Sequence, residues 1–268
     1  MNENITRSLS GIFFMLVLIS ATLYSKTSFL LIFGFFLLQS IYEFSKLQNL
    51  PILKSILLGV FLYILFAIFT NYSFLFDIGL LFSTLFVSIQ LMTGLFYNSN
   101  IYRDIQSKWV LLIGYIILPF VLITKLAFIH FFFNSTIIVA LFILIWTNDT
   151  FAYITGKLFG KNKLFEKISP KKTIEGFIGG TIFTIFCGII ISLYYIKKDL
   201  YIWIVIAIIV SFFGTFGDLI ESKFKRMANV KDSGNIMPGH GGLLDRLDSV
   251  IFVTPFVYLF YKIIIYVS

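Results

Sequence analysis

Long apolar runs separated by short polar stretches dominate this chain. Nine of them approach the roughly 20 residues that a helix, rising about 1.5 Å per residue, needs to cross a bilayer core. They lie near Leu9–Tyr24, Ser28–Tyr42, Pro51–Thr70, Ser73–Tyr97, Trp109–Leu126, Phe131–Trp146, Phe177–Ile196, Leu200–Phe216 and Val250–Val267. The runs are continuous, whereas barrel strands would read as short alternating segments. The pattern predicts an all-α polytopic integral membrane protein with about nine transmembrane helices. The first run follows Arg7 and imitates a secretory leader, but no small-x-small cleavage site follows it, so it reads as a retained helix. Only Ser25-Lys26-Thr27 separates the first two runs, as in a shallow hairpin. No internal repeat or low-complexity linker interrupts the pattern.

Composition supports this reading. Of 268 residues, 59% are hydrophobic and 13% charged, about half the roughly 25% charged share of a soluble domain. The net charge of +8 is uneven. With nine spans, the N-terminus and the loops after spans two, four, six and eight share a side, and that side holds 16 of the 21 Lys and Arg. The positive-inside rule places it in the cytoplasm. The expected location is the inner (plasma) membrane, multi-pass. A basic balance suits anionic lipid or phosphorylated substrates; nucleic acid fits a membrane protein least. Cys187 is the one cysteine, so no internal disulfide forms.

Residues 1–128 form an N-terminal transmembrane region with few polar landmarks. Glu43 and Asp77 read as solvated or boundary residues at span ends, and His130 as interfacial. Residues 129–268 differ. Span six runs into Asn148 and Asp149; Asp149, Ala152, Tyr153, Gly156 and Gly160 recur at three-to-four spacing, giving a polar face of small residues. Ser169-Pro170-Lys171-Lys172-Thr173 then reads as a helix start with free N–H groups, an anion site, with Glu175 as its cap. The rival reading of these lysines is the positive-inside signal itself, which accounts well for Lys161, Lys163 and Lys167. In span eight, Asp218, Glu221, Ser222 and Lys225 fall at i, i+3, i+4 and i+7, on one helix face. Gly214 and Gly217 admit another backbone or a ligand close by.

The densest polar stretch is Ser222–Ser249. Lys225, Arg226 and Lys231 are candidate phosphate clamps. The glycines around His240, Gly241 and Gly242 expose N–H groups as phosphate nests do. Asp245 and Asp248, one helical turn apart and facing Asp218, suit a hard cation such as Mg²⁺. The competing reading pairs Asp245 with Arg226 and Asp248 with Arg246. Carboxylates for a divalent cation, cations for several phosphates and exposed N–H donors, all at one membrane face, fit phosphoryl or nucleotidyl transfer to a lipid.

This stretch resembles the signature of the phosphatidate cytidylyltransferase (CDP-diacylglycerol synthase) family. The residues that carry it are Ser222-x-Phe224-Lys225-Arg226, Lys231-Asp232-Ser233-Gly234 and Pro238-x-His240-Gly241-Gly242-Leu243-x-Asp245-Arg246-Leu247-Asp248. Met237 departs from the usual Leu, Ile or Phe. The resemblance implies transfer of CMP from CTP to phosphatidate, giving CDP-diacylglycerol and pyrophosphate for phospholipid biosynthesis. It implies Mg²⁺ dependence, a paired-cation site and an intramembrane funnel, with Asp218 and Asp245 as cation ligands. The expected catalytic set is Asp218, Asp245, Lys225, Arg226 and His240. The expected substrate-binding set is Asn148, Asp149, Ser169, Lys171, Lys172, Thr173, Glu221, Ser222, Lys231, Asp232, Gly241, Gly242, Arg246 and Asp248. The partners are then CTP, phosphatidate and the bilayer, with no nucleic acid; a homodimer is compatible with them. Rival readings are a CTP-dependent polyprenol or phytol kinase and a transporter; the latter predicts internal repeats.

Overall fold

The computed structural model describes residues 3–68, 74–96, 104–130, 132–196, 200–237 and 241–267, with only the backbone for 3–8, 68 and 74. Each expected apolar run becomes one helix: α1 (Glu3–Tyr24), α2 (Lys26–Gln48), α3 (Ile52–Tyr63, continuing as a π-helical turn), α4 (Phe74–Phe96), α5 (Ile105–Ala127, with a π-helical centre), α6 (Ser135–Phe159), α7 (Ile174–Ile196), α8 (Leu200–Met227) and α9 (Leu244–Val267). Among the described residues, seven helices are long and apolar enough to span a membrane; α1 and α3 offer the shorter apolar stretches Leu9–Tyr24 and Ile52–Ala67. The fold is that of an all-α polytopic membrane protein. Exposed large apolar side chains include Leu53, Phe61, Phe82, Phe86, Ile182 and Phe186, the kind of exterior that lipid or another apolar surface covers.

The helices outrun their apolar stretches. α2 continues to Gln48, α6 to Phe159 and α8 to Met227, because the backbone ladder extends beyond the lipid boundary that hydropathy marks. The ends are set locally. Asn49 closes α2 in the left-handed region (φ 54°), with Pro51 beyond it. Asn229 (φ 56°) closes α8, with the Val230 N–H on the Lys225 carbonyl at 3.0 Å. Such left-handed closures satisfy the last carbonyls of a helix. Ser25 and Ser28 form a reciprocal capping box at the α1–α2 turn, which fixes the expected hairpin.

α5 is the central rod: 89% of its apolar window is buried, against 33–50% for the other long helices. At one end of the bundle Asp77 of α4 pairs with Lys125 of α5 at 2.8 Å and Lys262 of α9 at 3.6 Å. Asp77 is therefore a three-helix tie rather than a simple boundary residue. Between α6, α7 and α8 three polar side chains form one interhelical link. Ser211 donates to Asn148 Oδ1 at 2.8 Å and lies 2.6 Å from the Thr181 hydroxyl. Interhelical hydrogen bonds of this kind contribute about 0.6–2 kcal/mol each in lipid.

The helix start expected at Pro170 lies instead at Ile174. Residues before it form a two-stranded antiparallel hairpin, β1 (Lys163–Phe165) with β2 (Ser169–Thr173), in the register Lys163 to Thr173 and Phe165 to Ser169. Proline favours extended backbone before it, and Thr173 supplies the cap, its hydroxyl accepting from the Gly176 N–H at 3.1 Å. Glu175 accepts from its own N–H in the first turn of α7, as a capping residue does. It accepts from the N–H groups of Lys161 (3.0 Å) and Asn162 (3.2 Å) and from the Asn162 amide (2.8 Å), holding the hairpin down on α7.

α8 and α9 approach closely at Gly217. A Cβ there would sit 2.7 Å from the Asp248 carbonyl oxygen and 2.8 Å from Phe252 Cβ; at Gly214 it would make only an ordinary 3.6 Å contact with Val253. Gly217→Ala is expected to force the helices apart and destabilise by about 1–3 kcal/mol, whereas Gly214→Ala is expected to be near neutral. Thermal unfolding in detergent checks the pair; equal melting temperatures would mean that the helices are not held at this separation.

Candidate active site

The polar ends of α6, α8 and α9, the hairpin and the start of α7 enclose a cavity of about 670 Å³, within the usual range for a small-molecule site. Its wall carries Lys157, Lys163, Lys171, Lys172, Lys225 and Arg246 against Asp149, Asp218, Asp232, Asp245 and Asp248. Asn148, Ser169 and Thr173 also line it. Twelve of the expected site residues, drawn from four separate parts of the chain, thus share one wall.

Three carboxylates converge here, of which Asp218 and Asp248 line the cavity and Glu221 does not. One oxygen each from Asp218, Glu221 and Asp248 lie within 4.8 Å of one another. Asp218 and Glu221 are one turn apart on α8, and the Gly217 crossing brings Asp248 of α9 beside them. Asp218 is paired through Oδ2 with Lys172 at 2.5 Å and accepts from the Ser222 hydroxyl through Oδ1 at 3.2 Å. Glu221 is fully buried, and its Oε1 has no hydrogen-bond partner. Burying like charges together is strongly unfavourable without a counter-charge. An orphaned buried oxygen among three carboxylates is the donor set a hard divalent cation takes.

Asp245 sits beside this group rather than within it. Lys225 bridges the two, its ammonium 2.5 Å from both Glu221 Oε2 and Asp245 Oδ1. Asp245 therefore pairs with Lys225, not with Arg226. The other oxygen, Oδ2, accepts from the Ser233 N–H (2.9 Å), the Ser233 hydroxyl (2.9 Å) and the Gly242 N–H (2.7 Å). Gly242's donor, read as one for phosphate, is engaged by this carboxylate. Gly241 has φ +85°, and a Cβ on it would lie 2.7 Å from the same oxygen; both reasons favour glycine there.

Other expected residues lie off the cavity wall. Arg226 is exposed and donates to the Val230 carbonyl at 3.3 Å. Lys231 is exposed, and Ser222 reaches the site through Asp218. His240 lies outside the described residues. Conversely, Lys157, Lys163, Tyr153, Phe177 and Thr215 line the cavity without having been singled out as ligand contacts. Lys163 was legible only through the hairpin, which sets it opposite Thr173. Glu43, read as solvated, is 1% exposed. It lines a second, larger cavity of about 1120 Å³, with Lys46 and Lys108. The two cavities share Asp232. The smaller one carries Asp218 and Asp248 and six Lys or Arg side chains, and is the candidate site.

The model of the cytidylyltransferase family matches residues 5–264. Phosphatidate cytidylyltransferase of Staphylococcus aureus (strain COL) is 52% identical over 119 residues, 42% of this chain and 44% of that protein. The protein of the same name from Staphylococcus haemolyticus (strain JCSC1435) is 54% identical over 116 residues, again 42% and 44%. The aligned part thus spans less than half the length of these curated relatives. The family match covers nearly all of the sequence and both elements that carry the acidic cluster, α8 and α9: the chain belongs to the cytidylyltransferase family.

Proposed function

We propose that this chain transfers CMP from CTP to phosphatidate, releasing pyrophosphate and leaving CDP-diacylglycerol in the membrane. The observation that carries the reading is the cavity at the helix ends where six cations face Asp218 and Asp248, two of the three converging carboxylates. The similar staphylococcal proteins bear the name of that activity. The basic side, and with it the cavity, faces the cytoplasm, where CTP is found.

A phosphate oxygen of phosphatidate attacks the α-phosphorus of CTP. The new P–O bond forms as the bond to the β-phosphate breaks, and the electron pair leaves with pyrophosphate. A phosphate monoester with a second pKa of about 6 is already largely dianionic, so no strong base is needed. The protein's work is alignment and neutralisation of negative charge. Lys171, Lys172, Lys225 and Arg246 hold phosphate oxygens; Asn148, Asp149, Ser169, Thr173 and Asp232 bound the substrate. Lys172 and Lys225, now paired with carboxylates, exchange those partners for phosphate. Asp218, with Glu221 and Asp248 and with Asp245 across Lys225, would hold Mg²⁺. Bound there, Mg²⁺ supplies positive charge to the triphosphate.

Purified protein in mixed micelles of detergent and phosphatidate, given CTP labelled at either the α- or γ-phosphorus, tests the reading. The α-label is expected in the lipid and the γ-label in pyrophosphate. The γ-label in lipid, with CDP as coproduct, would instead establish a lipid kinase and overturn the proposal.

A further inference from the structure

The feature that the proposed chemistry leaves unused is a buried carboxylate from the other half of the chain. Glu43 projects from the last turns of α2 and is 1% exposed. An isolated buried carboxylate is costly unless it is hydrogen-bonded. Four donors converge on this one. Oε1 accepts from the Gln39 amide (2.7 Å) and the Leu243 N–H (3.0 Å); Oε2 accepts from the Ser233 hydroxyl (2.9 Å) and the Leu244 N–H (2.8 Å). The backbone donors lie at the start of α9, where a helix leaves N–H groups free and favours negative charge. Glu43 thus caps a helix 200 residues away and, through Ser233, grips the beginning of the loop that leads to it.

Ser233 ties this carboxylate to Asp245. Its hydroxyl lies 2.9 Å from Glu43 Oε2 and 2.9 Å from Asp245 Oδ2. With one hydrogen, it divides its donation between the two acids. Two glycines pack tightly against them: a Cβ on Gly234 would lie 2.8 Å from Glu43 Oε1, and one on Gly242 would collide with Ser233 Oγ and Glu43 Oε2. The neighbour of Glu43, Phe44, packs edge-on against Phe224 (5.4 Å, 88°), which adjoins Lys225, and tilts against Tyr115 of α5 at 5.9 Å. The aromatic cluster therefore sets the height of Glu43 relative to Lys225.

We infer that Glu43 is a positioning residue: acting through Ser233 and the start of α9, it fixes Asp245 so that Oδ1 faces Lys225 and the cavity, and so sets the site's affinity for a divalent cation. The inference rests on the cytidylyltransferase reading for its catalytic consequence, but not for its geometry.

The test measures Mn²⁺ binding by electron paramagnetic resonance in detergent, together with kcat and KM for CTP, on the full chain. Glu43→Gln keeps the shape but gives up one acceptor and the charge. It is expected to weaken Mn²⁺ binding and lower kcat by about 10–100-fold, the scale for groups that orient metal ligands, with a much smaller change in KM. Glu43→Asp restores part of both. Asp77→Asn, which breaks the tie at the far end of the bundle, serves as the control that lowers stability without touching Mn²⁺ affinity. If Glu43→Gln cannot be isolated folded, Ser233→Ala keeps the helix cap and removes the link; the same direction of change is expected. Wild-type Mn²⁺ affinity in the variant measured overturns the inference while CMP transfer by the wild type still stands. Weakened Mn²⁺ binding in a protein whose wild type transfers no CMP keeps the positioning role and removes the proposed reaction.

Discussion

Asp218→Asn is expected to fold normally and to lose at least about 10²–10³-fold in kcat, the scale for removing one preorganised electrostatic contact from an active site. The side chain is 38% exposed, so the substitution leaves little buried charge unpaired. The Asn oxygen still accepts from Ser222 at the position of Oδ1. What disappears is the negative charge that Lys172 meets at 2.5 Å and one of the three carboxylates gathered with Glu221 and Asp248. Both proposed functions of Asp218, holding a cation and poising Lys172, fail together. Incorporation of α-labelled CTP into lipid measures the loss, with the melting temperature as the check on folding. Turnover within about threefold of wild type would remove Asp218 from the site's chemistry and leave Lys172 as an ordinary surface pair.

The parts of this site that were readable share a property: they lie close in sequence or carry their own chemical signal. Asn148 and Asp149 interrupt a span; Asp218, Glu221 and Ser222 mark one helix face; Asp245 and Asp248 are a turn apart. Helical periodicity delivers such residues to one wall without further information. Glu43 carries no such signal. It lies between Tyr42 and Phe44 at the end of an apolar run, where a solvated boundary residue reads the same. Two of its four partners are backbone N–H groups, which no side-chain pattern announces, on residues 200 and 201 positions away, and a third is a hydroxyl 190 positions away. Ser233 was legible only as a member of the signature, not as the link between two acids. The glycines were legible as glycines but not for the right neighbour: Gly234 and Gly242 stand against a carboxylate of this chain.

The same limit explains the Asp245 pairing. Arg226 and Lys225 are adjacent, and charge alone does not choose between them. Helix phase does. Lys225 shares its face with Glu221 at i and i+4, 2.5 Å apart, and this face looks into the bundle toward α9. Arg226 is turned about 100° away, toward solvent and the closing turn of its own helix at Val230.

Lys225→Met is the substitution expected to damage both stability and activity most. The Lys225 side chain is 12% exposed, and its ammonium is shared by Glu221, 1% exposed, and Asp245, 7% exposed. Removing one partner of a buried ion pair typically costs about 3–5 kcal/mol, because the remaining charge stays buried. Here two carboxylates lose their cation at once, against a typical total stability of about 5–15 kcal/mol. A large fall in melting temperature and little recoverable activity are therefore expected. Glu221→Met in the Lys225→Met background replaces the i, i+4 pair by two apolar side chains of similar length. It is expected to recover much of the melting temperature but none of the CMP transfer, since the phosphate clamp and one acid are both gone. The double-mutant cycle then gives a coupling well above the few tenths of a kcal/mol seen for independent sites. Divalent cation supplies a second arm. If the acids form a cation site, Mg²⁺ raises the melting temperature of Lys225→Met more than that of the wild type, because the ion takes over the neutralising role of the missing ammonium. A Lys225→Met protein as stable as the wild type, with no gain from Mg²⁺, would mean that Glu221 and Asp245 do not depend on Lys225, and the acidic cluster would lose its claim to a cation.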